Sequence, residues 1–200
     1  MRVGFGNMFF SQNGIKKMEE NKEWYVMRDL HRGHRTVLSY QELSDKGYET
    51  YTPTVKTPAK GKNGKTEIVE RPFLPDLFFL KCELSVLKIL TNTFKGKFQY
   101  RYKYGVHPAT PITVPQKQMD DFIRANKESK ETKFLTVNEI PQSARNSTVR
   151  IVSGPLQGVE GMLLGIRGTS RKRLIIELPH FLAISVYLED EYVVVKELRS

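Results

Sequence analysis

Large apolar side chains crowd into one stretch of this chain. Within Glu70–Cys82 (ERPFLPDLFFLKC), Phe73, Leu74, Leu77, Phe78, Phe79 and Leu80 fill six of eight positions. A strand with one wet face alternates apolar and polar residues. This density instead predicts a strand covered on both faces, or one whose second face is a docking surface. Pro72 and Pro75 cannot donate to a ladder, so they belong to a bend, a bulge or an edge. The pattern predicts a bent entry over Phe73–Asp76 and a strand over Leu77–Lys81. Alternation puts Leu77 and Phe79 on one face, Phe78 and Leu80 on the other.

The remaining elements follow from the same kind of pattern. Residues 1–21 lack any period and read as a disordered tail; organised sequence begins after Met18, which would then serve as the start. Glu23–Met27 (EWYVM) is a strand by its aromatic and β-branched content. Arg28–Arg35 is a basic turn, and a helix is predicted over about Arg35–Lys46, ended by Gly47. Tyr48–Lys56 alternates as a strand, and Thr57–Lys65 reads as a mobile basic hairpin tip turning at Asn63-Gly64. Leu84–Leu90 forms a short helix with Val86, Leu87 and Leu90 inward, and Thr91–Gly96 a loop. Phe98–Tyr104 alternates strictly, with Phe98, Tyr100, Tyr102 and Tyr104 on one face and Gln99, Arg101 and Lys103 on the other. Gln116–Lys127 places Met119, Phe122 and Ile123 at helical spacing. Residues 129–147 lose periodicity and read as a linker. Five short strands follow, at Val149–Val152, Gly161–Ile166, Arg173–Leu178, Ile184–Leu188 and Tyr192–Val195, separated by glycines and Pro179. The fold class is α+β: an antiparallel sheet with packed helices over 22–128, then a small five-strand β-barrel over 148–200.

Charge and chemistry narrow the picture. Lys plus Arg outnumber Asp plus Glu by 32 to 22, a net +10, which favours a polyanionic neighbour. The single cysteine, Cys82, excludes an internal disulfide and any multi-cysteine metal site, and its apolar strand marks it as an inert buried thiol. No apolar run reaches the ~20 residues of a membrane helix, so the expected setting is the cytoplasm, with no membrane contact. The four histidines show no metal-ligand spacing, and Gly158 and Gly161 do not open a phosphate loop. With no nucleophile–base pair either, the expectation is a protein that is not an enzyme and carries no cofactor.

Three stretches resemble the NusG family of transcription elongation factors. EWYVM at 23–27 is similar to the family's opening Trp-Tyr strand. RPFLPDLFFL at 71–80 resembles its phenylalanine-proline segment, and VRIVSGPLQGVEGMLLGI at 149–166 its KOW motif, where a Gly-Pro-apolar-x-Gly turn joins two strands. The three lie in the family's order, and the resemblance covers about Glu23–Leu198. Leu77 stands where the family has a tyrosine, Asp76 replaces a small turn residue, and Arg145–Thr148 replaces the usual Pro-Gly-Asp entry to the barrel. The resemblance is to specialised paralogues, the operon-restricted antiterminators, including those of capsular-polysaccharide operons.

The resemblance implies a set of partners. An NGN-type N-terminal domain would bind the clamp helices of the largest RNA polymerase subunit through Trp24, Tyr25, Phe73, Leu74, Pro75, Leu77 and Phe79. The non-template DNA strand would meet His31, Arg32, His34 and Arg35, together with Lys95, Lys97, Arg101 and Lys103. Cations of this kind supply salt-dependent affinity, and aromatic side chains grip unpaired bases. The KOW/SH3-like barrel would bind a small-subunit ribosomal protein or Rho through Leu156, Val159 and Ile166. Lys88–Thr91 (KILT) stands where some paralogues have a Thr-rich loop that holds the opposite polymerase pincer. The chain would act as a monomer. The alternative is a ribosome- or RNA-binding KOW protein.

Overall fold

The computed structural model describes residues 22–30, 37–61, 64–105, 108–129, 131–145, 147–178, 180–188 and 192–194. In chain order its elements are β1 (Glu23–Asp29), α1 (Ser39–Asp45), β2 (Glu49–Tyr51), β3 (Thr54–Lys60), β4 (Thr66–Pro72), β5 (Leu77–Cys82), α2 (Leu84–Thr93), β6 (Phe98–Tyr100), β7 (Thr113–Val114), α3 (Gln116–Glu128), β8 (Thr132–Thr136), β9 (Thr148–Ile151), β10 (Glu160–Gly165), β11 (Lys172–Leu178), β12 (Leu182–Leu188) and β13 (Tyr192–Val194). The chain divides into two compact units. One holds the residues up to Thr52 and Leu74–Thr113; the other holds Pro53–Phe73 and the residues from Val114 on.

The first unit is an antiparallel sheet in the order β2-β5-β1-β6, with the short β7 beside β1. The dense apolar stretch lies at its centre. Along β5, Leu77, Phe78, Phe79 and Leu80 are all buried, as expected for a strand covered on both faces. Pairing with β1 sets Phe79 opposite Val26 and Phe78 opposite Met27. Phe78, Leu80, Met27 and Tyr25 share a core with Leu43 of α1 and Leu87 and Leu90 of α2. Phe98 closes that core edge-on to Phe78, their centroids 5.9 Å apart. The start of α1 is tied to β1: the buried Asp29 carboxylate accepts the Ser39 N–H at 2.9 Å, which satisfies one donor that a helix end leaves over.

Several boundaries differ from the pattern's prediction. The expected strand Tyr48–Lys56 breaks at Thr52-Pro53, where Pro53 accepts the Phe73 N–H at 2.8 Å. The first four residues of the expected loose tip, Thr57–Lys60, are strand, since β3 and β4 pair all the way from Thr54–Pro72 to Lys60–Thr66. Pro58 is tolerated there because a two-stranded ribbon has only edges. Helix α2 runs on to Thr93.

The second unit contains this ribbon and a six-stranded antiparallel sheet, order β13-β9-β10-β11-β12-β8. All five strands expected after residue 148 are present. The sixth, β8, lies in the expected linker and pairs with β12, Phe134 opposite Ile184. Residues 129–147 are therefore not a bare linker: they hold β8 and two 3-10 turns, Val137–Glu139 and Gln142–Ala144. Among the described residues this strand pairing has six members rather than five and runs from β13 to β8 without closing. Helix α3 also departs from expectation. It belongs to this unit, where Phe122 stacks on Phe134 at 6.2 Å and Phe73 meets the same ring tilted at 5.5 Å.

The KOW-like turn has the predicted form. Gly154–Gly158 joins β9 to β10; the Gly158 N–H reaches the Ile151 carbonyl at 2.8 Å, and Gly154 and Gly158 have φ of 77° and 82°. That region favours glycine because a Cβ would crowd the carbonyl.

Candidate nucleic-acid interface

The expected polymerase-docking residues are not displayed as a surface. Leu77 is 3% and Phe79 0% exposed. Phe79 lies beside Tyr51, with centroids 6.5 Å apart. Trp24 and Tyr25 are buried as well. Phe73 and Leu74 are half-buried, and Pro75 alone of the seven is exposed. The correction has a simple cause. Apolar density allows either burial on both faces of β5 or one face left for docking, and both faces are covered. Burial with the Glu23 carboxylate alongside pushes the Tyr25 phenol up to about 12; its hydroxyl donates to Glu23 at 3.2 Å. Burial likewise pushes the Cys82 thiol up to about 12, with Glu83 adding to it. At neutral pH that leaves a protonated, unreactive sulfur.

The cations fare differently from one another. His31, Arg32, His34 and Arg35 lie outside the described residues. Lys97 is held in place: its ammonium bonds both Glu42 carboxylate oxygens at 2.8 and 2.7 Å and sits 5.2 Å over the Phe94 ring. Arg101 donates to Asp76 at 3.1 Å, and Arg28 lies 3.4 Å from the same oxygen. Lys95 and Lys103 are exposed, with no ionic partner among the described residues. Of the four expected cations on this strand and the loop before it, two are therefore held by carboxylates and two are available to a phosphate.

The strand carrying them explains the difference. Only Phe98–Tyr100 pairs with β1. After Arg101, whose N–H still reaches the Val26 carbonyl at 2.7 Å, the chain leaves the sheet. The Val26 N–H is taken instead by the Ile112 carbonyl at 3.0 Å. The departing strand then folds back on residues 110–112, with Ile112 N–H on the Arg101 carbonyl at 2.8 Å and Lys103 N–H on that of Thr110 at 3.1 Å. The aromatic face thus climbs from core to solvent. Phe98 is buried, Tyr100 half-buried, Tyr102 54% exposed and Tyr104 98% exposed. Alternation identified this face, but only the end of pairing with β1 tells which of its rings are open.

In the second unit, Leu156 and Val159 of the expected partner surface are buried at 4% and 0%; Ile166 is half-buried. The first two, being buried, do not present a surface. Gly161 is needed for packing: a Cβ there would lie 2.6 Å from the Ile175 carbonyl. Among the described residues there is no cluster of three or more His, Cys, Asp or Glu that could hold a metal, and no helix long and apolar enough to cross a membrane.

These features define a two-unit α+β chain of antiparallel sheets, with a basic, aromatic edge on its first unit. No family model matches the chain, and no curated protein matches it. It is similar to the solved structure described as "Domain interaction in Thermotoga maritima NusG", with 14% identity and a TM-score of 0.37, over 85% of this chain and 94% of that one.

Proposed function

We propose that this chain is a non-enzymatic transcription elongation factor that binds the largest RNA polymerase subunit, raises processivity and acts as an operon-specific antiterminator. The observation that carries the reading is the ordered trio of motifs. EWYVM falls on β1, RPFLPDLFFL on the entry to β5 and β5 itself, and VRIVSGPLQGVEGMLLGI on β9, its turn and β10. The first two are also neighbours in space, paired from Glu23–Cys82 to Arg28–Leu77. In this reading the first unit meets the polymerase, with Leu74 and Pro75 the least covered part of the proline segment on that unit. Its basic edge lies along the displaced DNA strand, and the second unit takes a ribosomal protein or Rho. The setting is the cytoplasm, and the chain works as a monomer.

The test is retention of the full chain on core RNA polymerase, with single-round transcription through a terminator. Retention and increased readthrough are expected. No retention together with unchanged readthrough would overturn the reading.

A second reading, a KOW protein that binds structured RNA, draws on one local observation. Arg173 lies 4.2 Å and Arg171 5.9 Å from the Tyr187 ring centroid, a cationic and aromatic surface of the kind RNA uses. Tight binding to folded RNA without polymerase retention would select it.

A further inference from the structure

The exposed end of the aromatic strand has a composition that calls for a specific ligand. Single exposed aromatics are ordinary. Here two tyrosines stand two residues apart, Tyr102 in a bridge with Pro111 and Tyr104 in the turn that follows it. Tyr104 is 98% exposed and Tyr102 54%. Tyr100 is packed against the core below them, and the hydrogen bonds of residues 101–103 to 110–112 hold the backbone in place. Tyr102 is therefore held in the ribbon, and Tyr104 opens the turn at its end.

Charge says what would sit on it. From Leu84 to Thr113 the chain carries Lys88, Lys95, Lys97, Arg101 and Lys103 and no Asp or Glu. Lys103, between the two tyrosines, is exposed. Asp76, at the foot of the ribbon, is shared by two arginines, and the Glu42 carboxylate is taken by Lys97. An acidic protein would suit the cations but would leave two aromatic faces without a partner. A duplex would suit the cations but hides its base faces. An unpaired strand supplies both phosphates and open base faces.

We propose that Tyr102 and Tyr104 form a base-stacking platform for single-stranded nucleic acid, with Lys103 on its phosphates. This rests on the elongation-factor reading and deepens it, by assigning residues that hold an unpaired strand. DNA and RNA offer the same chemistry to such a platform, so both are tested.

The experiment measures fluorescence anisotropy of the full chain with labelled oligothymidylate, oligouridylate and a duplex of equal length, without polymerase. Tyr102→Ala and Tyr104→Ala should each weaken single-strand binding roughly 5- to 150-fold, the range of one lost base–aromatic stack. Tyr102→Phe and Tyr104→Phe keep the ring and should bind as the unaltered chain does. Lys103→Gln should lower the salt slope by about 0.7, one phosphate contact on a single strand. Tighter binding of DNA assigns the displaced strand as ligand, and tighter binding of RNA the transcript; either upholds the platform. Unaltered binding by the double alanine variant would overturn it. So would an equal loss on the duplex, or phenylalanine variants as weak as the alanine ones. Because polymerase is absent, loss of polymerase retention with intact tyrosine dependence defeats the elongation reading alone; the reverse pattern defeats the platform alone.

Discussion

Two aromatic stretches of the first unit meet opposite fates. Along β5, Leu77–Leu80 alternates between two covered faces, and nothing of it reaches solvent. Along Phe98–Tyr104 the same alternation starts in the core and ends with a tyrosine almost wholly in water. Spacing is not the cause, since Leu77 and Phe79 in the first stretch and Phe98 and Tyr100 in the second both place large side chains two apart. The difference is pairing. β5 lies between β2 and β1, whereas the later strand has β1 on one side for three residues and then only its own return segment. Neighbouring strands decide whether an aromatic face becomes core or binding surface.

The largest effect that tests this contrast is on stability. Phe78→Ala should destabilise the protein by about 3–5 kcal/mol, because it opens a cavity beside Phe98 and the helices. Tyr104→Ala should stay within about 0.5 kcal/mol, as exposed sites do. Urea unfolding of the two variants reads both. A Tyr104→Ala loss comparable to that of Phe78→Ala would mean that the ring is covered and that the contrast is false.

The second test uses pH on the buried side of the comparison. Tyr25 and Cys82 are both raised to about 12, from 10.0 and 9.0. Each group holds its proton more tightly when folded. Their contribution is therefore fully present below pH 9 and is lost as pH rises, first from Cys82 above about 9 and then from Tyr25 above about 10, until both have titrated near 12. Each unit of separation weighs about 1.4 kcal/mol. Cys82→Ala should move the onset of alkaline destabilisation from about pH 9 to about pH 10, read as the urea midpoint against pH. An onset that does not move would show that the thiol is not held in the core as described.

The same contrast explains what the sequence could and could not say. Apolar density over Leu77–Leu80 was enough to place a strand, though not to say whether its second face was covered, and Met119 and Phe122 were enough to place α3. Glycine and proline punctuation was enough for the five strands after residue 148. Coverage is a property of neighbours in space, and it was out of reach. Leu77 and Phe79 therefore read as docking residues, and α3 was placed with the first unit's sheet. β8 was missed because only Phe134 and Leu135 are apolar in a polar context; its pairing with β12 makes it a strand. Among the expected cations, only the structure separates Lys97 and Arg101, already held by carboxylates, from Lys95 and Lys103. The basic residues His31–Arg35 lie outside the described part, so that half of the expected interface rests on sequence alone.

The smallest expected effect lies where the two stretches touch. Asp76, in the turn that leads into β5, is bonded by Arg101 at the root of the exposed ribbon and approached by Arg28. The carboxylate side chain is 47% exposed and the guanidinium groups 35% and 53%, so water and salt screen the attraction. Asp76→Asn should therefore cost less than about 1 kcal/mol, as pairs of this exposure do. The cost should shrink further as salt is raised, because added ions already screen what the mutation removes. Urea unfolding at low and high salt measures it. A loss of several kcal/mol, unchanged by salt, would show instead that the ion pair is what fixes the ribbon to the sheet. The backbone bonds from Arg101 to Val26 and Ile112 would then not suffice to hold the aromatic face open.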